Sequence, residues 1–370
     1  MRTFLKENAM RIYMVAIALG VVLRFVVMAV GHNYDFQSYL IVGDLLHNGL
    51  DVYANTERYN YGPIFMLFQG FFYEIATNAL DVAMMYRVLF VSLFTMTDMG
   101  IMVWLEKHFG KKVAIIFFLN PVSIIISGYH NQFDNMAILL MLLAISFYNE
   151  EKEIGWRDML FVVCMALSLT MKHIFFIFPM WLLLTKNLPL MKRALYSFVP
   201  PILFLLSFVP PVIKNPANFN GILQNVFLYR STNNSPLLRT LYQLINLPGA
   251  MYTVIFILLV SIVGFLVRDK DIEYRTLLYT MCLVAFASAI SNQYLAIPMA
   301  ALCVFSGKLK YVYMLLMGHY LVWNDSGMEI SAVYPHAMRL PNSEFLGYFL
   351  ACLMLAIVII NEIKKKYFSK

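Results

Sequence analysis

The residues of this chain with types able to do chemistry gather in five short polar phrases. The first is GHNYDFQSYLIVGDLLHNGL at 31–50, where Asp35 stands between Tyr34 and Phe36. A carboxylate among apolar side chains can act as general base on a hydroxyl where the geometry allows; the ordinary alternative is a solvated loop acid. The second is GYHNQFDN at 128–135. His130, Gln132 and Asp134 stand two apart, which scatters them on a helix and aligns them on an extended turn. That set suits hydrogen bonding to a sugar or a phosphate better than a metal site made from His130 and Asp134. The third, MKHIFFIFPMW at 171–181, places Lys172 and His173 between two apolar runs. A Lys so placed is expensive and marks function by default, the bland alternative being a snorkelling Lys at a hairpin tip. In the fourth, Arg230 and Arg239 bracket STNNSPLL; guanidinium forks match phosphate oxygens, although ordinary loop charge would look the same. The fifth is Asn292, Gln293 and Tyr294, which interrupt an apolar run and either bind a substrate or cap two helices.

The elements that must position these phrases are membrane helices. Sixty-one percent of the 370 residues are hydrophobic and 13% are charged, against about 25% charged in an ordinary soluble chain. Mean hydropathy is +0.70. A soluble globule, a disordered chain and a fibrous protein are excluded, and the fold class expected is an all-α, polytopic transmembrane bundle. Apolar segments near 11–31, 84–105, 112–128, 132–148, 158–171, 174–187, 195–212, 250–267, 275–290, 294–306, 310–323 and 345–361 suggest about 12 spans, several shorter than the ~20 residues of an ideal crossing. Polar hairpin tips buried in protein would explain the short ones. The basic start followed by an apolar stretch reads as an uncleaved first span rather than a signal peptide. Four Cys, all within apolar segments and without CxxC spacing, read as small buried hydrophobes. Arg24, Arg87 and Asp98 fall inside spans, where mutual pairing is the expected reason for them.

Charge decides the topology. If the segment 61–80 lies at the outer interface or re-enters, then basic clusters near 2–11, 107–112, 152–157, 186–193, 268–275, 308–310 and 364–370 all fall inside. That places 20 of the 28 basic residues there, leaving Arg58, Lys172, Lys214, Arg230, Arg239 and Arg339 outside. Cytoplasmic loops carry the excess of Lys and Arg, so both termini are assigned to the cytoplasm, and the net charge of +7 implies no nucleic-acid partner. The outer face then carries 32–60, 128–135, 213–245 and 324–343, with tips at 172–173 and 291–293. Within the first outer loop, 32–83, apolar residues at helical spacing from Tyr39 to Leu50, with Asp44 and His47 opposite, suggest a helix lying on the membrane. The whole of 1–370 reads as one integral membrane domain, with a catalytic-type module at 1–190 and more variable spans at 191–370.

Taken together, LRF at 23–25, DFQSYLIVGDLLHNGLDVYA at 35–54, YNYGPIFML at 59–67, NPVSIIISGYHNQFDN at 120–135, MKHIFFIFPMW at 171–181 and NQYLAIP at 292–298 resemble the GT-C superfamily of membrane glycosyltransferases. Those enzymes take sugars from polyprenyl or dolichyl phosphates. The chain departs from the pattern where Gly62-Pro63 stands in place of Pro-Pro.

The resemblance implies juxtamembrane helices in the first outer loop, an extracytoplasmic site and a lipid donor entering laterally. It also implies a first-loop acid as catalytic base, and Asp35 alone fits by position. A second family acid is not clearly matched; Asp44 or Asp134 would serve, so a divalent metal stays an open possibility and no cofactor is required. The expected activity is inverting transfer of a hexose, mannose favoured, from the lipid phosphate to a hydroxyl of a glycan or glycolipid. Lys172, His173, Arg230 and Arg239 would meet the donor phosphate, and His130, Gln132, Asp134, Asn292, Gln293 and Tyr294 the sugar or acceptor. A bacterial plasma membrane is the expected setting and the endoplasmic reticulum the alternative. A transporter or lipid-linked sugar flippase is the rival of another class, which would show inverted repeats and broken helices at the midplane.

Overall fold

A computed structural model of the chain describes residues 2–229, 251–324 and 343–368, with residues 240, 244 and 328. It is all-helical, and no strand forms among the described residues. The N-terminal half comprises α1 (Arg2–Val30), α2 (Tyr34–His47), α3 (Val52–Asn55), α4 (Pro63–Ala76), α5 (Val82–Phe109), α6 (Lys111–Phe118), α7 (Pro121–Gly128), α8 (Asp134–Ser146) and α9 (Trp156–Met171). The remainder comprises α10 (Phe178–Leu183), α11 (Leu190–Leu206), α12 (Val209–Lys214), α13 (Asn218–Ile222), α14 (Met251–Leu266), α15 (Ile272–Ala285), α16 (Met299–Phe305), α17 (Leu309–Trp323) and α18 (Ser343–Phe368).

Among the described residues, four stretches are long and apolar enough to cross a membrane: Met10–Val30, Val82–Phe109, Leu190–Lys214 and Glu344–Tyr367. The pair α6–α7, bent by 47°, makes a fifth if it is counted as one broken span rather than a re-entrant loop. The sequence shows 112–128 as one apolar run, but Pro121 disfavours helix at the preceding residue and donates no hydrogen bond. Asn120 takes up the break, its side chain accepting from the Ser123 amide at 2.7 Å. Shorter apolar helices, α4, α8, α14 and Asn292–Phe305, make up much of the rest of the apolar sequence.

Two buried charges fix the N-terminal half. Arg24 of α1 donates to one carboxylate oxygen of Asp98 on α5 from Nε (3.0 Å) and Nη2 (2.8 Å), and from Nη1 to the carbonyls of Gly20 and Phe118. Asp98 also accepts from Ser127 of α7 and Asn135 of α8. Five helices, α1, α5, α6, α7 and α8, are thus tied at one point, where both ions are wholly buried. Arg87 does not join this pair. Its guanidinium donates to the carbonyls of Met28 and Gly31, capping the end of α1. Close approaches complete the fit. A Cβ at Gly128 would stand 2.6 Å from the Arg24 carbonyl oxygen, and one at Gly62 only 2.0 Å from that of Thr170. Glycine at 62 therefore lets the start of α4 rest on the end of α9.

The amphipathic helix expected from Tyr39 onward begins five residues earlier, because Asn33 caps it: its side chain accepts from the Asp35 amide. Asp35 consequently sits in the first turn of α2, and α2 packs along α4. The later segment also reaches this loop. α13 packs on α3, and Asp51 pairs with Lys214 at 2.8 Å.

Candidate functional site

The phrases at 33–35, 128–135 and 171–173 converge. Helices α8 and α9 pack along each other, joined by the Ser168 hydroxyl donating to the Ala137 carbonyl at 2.7 Å. That places the start of α8 beside the end of α9. Asp134 lies in the first turn of α8 and Lys172 caps α9, so each charge meets the helix end that favours it. They form a buried ion pair at 2.7 Å. The ammonium also lies over two rings, 4.8 Å from the centre of Phe133 and 5.3 Å from that of Tyr61. Phe133 stacks on Phe65 of α4 at 3.7 Å, and Tyr61 meets Phe133 edge-on at 4.7 Å.

The turn between α7 and α8 aims its side chains by an unusual backbone. Asn131 has φ of 53°, a left-handed value that Asn tolerates better than most residues. Its amide nitrogen donates to the carbonyls of Gly128 and Tyr129. Its neighbours then reach α2. Gln132 donates to the Asp35 carboxylate at 2.6 Å. The Asn33 amide nitrogen contacts both Asp35 Oδ2 at 3.2 Å and His130 Nδ1 at 2.9 Å.

Asp35 is half-buried, and it sits at a helix N-terminus that favours its charge. Burial nonetheless pushes its carboxyl above the ordinary carboxylate range. The hydrogen bond from Asn33 and the charges of Lys172 and Arg58 pull it back down, while the Asp134 charge adds to the rise. Burial lowers His130 to about 3 and, with the neighbouring Lys172 charge, His173 to about 4, so both imidazoles are neutral at ordinary pH.

The site ends in unpaired polar atoms. Tyr39 Oη, His130 Nε2, Asn131 Oδ1, Gln132 Oε1, Asp134 Oδ1 and His173 Nδ1 are all buried with no hydrogen-bond partner in the protein. Buried polar groups are paired about nine times in ten, so these atoms on and beside the turn 130–134 leave hydrogen-bonding capacity for water or a ligand.

Not every residue singled out in the sequence comes here. Tyr294 does, lying within electrostatic reach of Asp134 and Tyr229. Asn292 turns away, its carbonyl oxygen accepting from Tyr348 at 2.7 Å and from Asn324 at 3.3 Å in the packing of α17 and α18. Gln293 is half-buried in the same short 3₁₀ turn. His173 lies beside Lys172 with its ring 6.5 Å from that of Phe204. Arg230 and Arg239 lie outside the described residues. Tyr229, which precedes Arg230, is within electrostatic reach of Tyr61.

A divalent cation finds no nest here. Asp44 is nine residues from Asp35, about two and a half turns of α2, hence on its opposite side. There its carboxylate accepts from Asn48 at 3.3 Å. The Lys172 ammonium already stands where a cation would sit beside Asp134. Among the described residues no three His, Cys, Asp or Glu gather at metal-binding distance.

Sequence reasoning missed Asn33, the aromatic wall of Tyr39, Tyr61, Phe65 and Phe133, and Arg58. Arg58 is half-buried, stacked 3.8 Å over the Tyr34 ring and donating to the Tyr34 carbonyl. Its signal was available, since the charge pattern of the sequence assigns it to the outer face, where few cations are expected. No protein-family profile, no curated protein and no solved structure matches this chain.

Proposed function

We propose that the chain is an inverting glycosyltransferase that moves a hexose from a polyprenyl-phosphate donor to a hydroxyl acceptor at the extracytoplasmic face. The observation that carries this reading is the clustering of Asp35, Gln132 and the Lys172–Asp134 pair about one turn with several unpaired polar atoms. Transfer with inversion needs a base, a grip on the sugar and cations near the departing phosphate. Asp35 takes the proton of the acceptor hydroxyl, which attacks the anomeric carbon as the carbon–phosphate-oxygen bond breaks. The phosphate leaves with the bonding electron pair, and the proton remains on Asp35 until solvent removes it. Lys172 and Arg58 are described cations whose charges both act on this carboxylate. Such preorganised donors count most where water is excluded. Gln132, Asp134, His130 and Tyr294 supply the polar lining for the sugar and the acceptor.

The same proposal includes a bundle of about 12 spans, both termini in the cytoplasm, and α4 lying at the outer interface. It favours mannose, and a bacterial plasma membrane over the endoplasmic reticulum. The 14 residues of α4 suit an interfacial helix better than a crossing, which takes about 20. Cysteine substitutions at 107–112 are expected to resist membrane-impermeant maleimide added from outside, and those at 54–57 to react. The functional test is purified protein in detergent with a panel of polyprenyl-phosphate sugars. Transfer without a sealed bilayer, with inverted anomeric configuration in the product, supports the reading. Sugar movement confined to sealed vesicles, without a new glycosidic bond, replaces it with a flippase or transporter.

A further inference from the structure

The hydrogen bonds of Asn33 settle the protonation pattern of His130. The Asn33 carbonyl oxygen accepts from the Asp35 amide at 3.1 Å, so the opposite end of that side chain is its NH₂. This NH₂ lies 2.9 Å from His130 Nδ1. An amide nitrogen only donates, so Nδ1 must be the bare, accepting nitrogen. A neutral ring then carries its proton on Nε2. Burial keeps the ring neutral to about 3, and its ring neighbour is Tyr129 at 5.5 Å. The residue is 1% exposed, and Nε2 has no partner in the protein.

We propose that His130 is the uncharged hydrogen-bond donor of the site, its Nε2–H fixed by Asn33 and directed at a hydroxyl oxygen of the bound sugar. This rests on the glycosyltransferase reading for the identity of the ligand, and on geometry alone for the tautomer. The same turn explains why the partner is a hydroxyl rather than a phosphate. Gln132 spends its NH₂ on Asp35, which leaves Oε1 as a bare acceptor, and Asp134 keeps Oδ1 unpaired. Asn131 Oδ1 is unpaired as well, and one donor beside three acceptors matches groups that both accept and donate, as sugar hydroxyls do. A phosphate only accepts, and it would meet the Asp134 charge. The neutral imidazole thus reads the sugar, and the cations are left for the phosphate.

The experiment uses full-length protein in detergent, labelled with ¹⁵N-histidine, the His130 signal being assigned by its loss in His130→Gln. From about pH 8 to pH 5, where an unperturbed imidazole titrates, the ring is expected to stay in the Nε2–H form. Polyprenyl-phosphate mannose is expected to shift the Nε2 resonance, and sugarless polyprenyl phosphate to leave it in place. Turnover should fall at least ~10-fold in His130→Phe, the scale of one unpaired buried partner, with most of it retained in His130→Gln, which keeps an N–H. Asn33→Leu should give a mixture of tautomers. An Nδ1–H ring, a titration inside that range, or an equal shift from the sugarless lipid overturns the proposal. The two readings fail separately. A sugar-dependent shift without turnover removes the transferase and keeps the donor, and turnover without a shift does the reverse. The absence of both removes both.

Discussion

Two buried polar networks meet at the start of α8, one holding Asn135 and the other its neighbour Asp134, and they end differently. Around Arg24 and Asp98 no side-chain donor or acceptor is left buried without a protein partner, and both ions are wholly buried. Around Asp35 and Asp134 the hydrogen bonds are just as short, yet five polar atoms of Tyr39 and the turn 130–134 have none. Both contain an acid, a base and amides, so residue type does not separate them. Satisfaction does. A closed network fixes five helices against one another and offers nothing further to a ligand. An open one is held in shape by its neighbour and presents the remaining edges. Since Asn135 and Asp134 are adjacent, the Arg24 clamp also sets the frame for the turn.

Replacing one acid from each network separates them most sharply. In Asp35→Asn, turnover of a lipid-phosphate sugar should fall ~10²–10⁴-fold, the usual contribution of a general base. Its thermal midpoint at pH 7 should rise. The sign follows from burial, which raises the folded-state pKa of Asp35. Its contribution to stability is therefore present below the unfolded-state value and is lost as pH rises through the folded one. A neutral Asn escapes that loss. Asp98→Asn should do the opposite, costing about 3–5 kcal/mol of stability because it strands a buried Arg, with turnover per folded molecule near wild type. Scanning calorimetry and turnover on the same preparations check both.

The pH profile sharpens the open side. A base works in its ionised form, so the rate should fall with acid through a value above the ordinary ~3.9 of Asp. Arg58→Gln removes a charge that lowers this value, so the acid limb should move to higher pH, read from turnover between about pH 4 and pH 8. The smallest effect belongs to the far polar cluster. Tyr348→Phe deletes the 2.7 Å hydrogen bond to Asn292 and should cost about 1 kcal/mol with turnover unchanged. A large loss of turnover there would return Asn292 to the site.

Much of this was legible in the sequence, for identifiable reasons. Helical class followed from apolar bulk, and the pairing of Arg24 with Asp98 from the expense of charges inside apolar runs. Asp35 stood out as an acid between two aromatics just past the first span and Lys172 as a charge between two apolar runs, and the alternation of His130, Gln132 and Asp134 aligns that set on an extended turn. Other features depend on where helices meet. Asn292 has the same composition signal as Gln132, but Tyr348 and Asn324, distant in sequence, claim it. Asn33 looked like loop filler because capping α2 and fixing His130 are both consequences of geometry. Gly62, seen in the sequence as a departure from Pro-Pro, has its reason in the Thr170 carbonyl packed against it.

The central claim is that Asp35, and no other carboxylate, faces the reacting carbon. A density map with a non-transferable polyprenyl-phosphonate sugar bound tests it directly. The anomeric carbon is expected on the Asp35 side of the turn 130–134, with an acceptor-sized space between carbon and carboxylate and the phosphonate towards Lys172 and Arg58. A sugar seated against Asp98, Asp158 or the cytoplasmic loops, or one whose anomeric carbon faces Asp134 with Asp35 turned away, would contradict it.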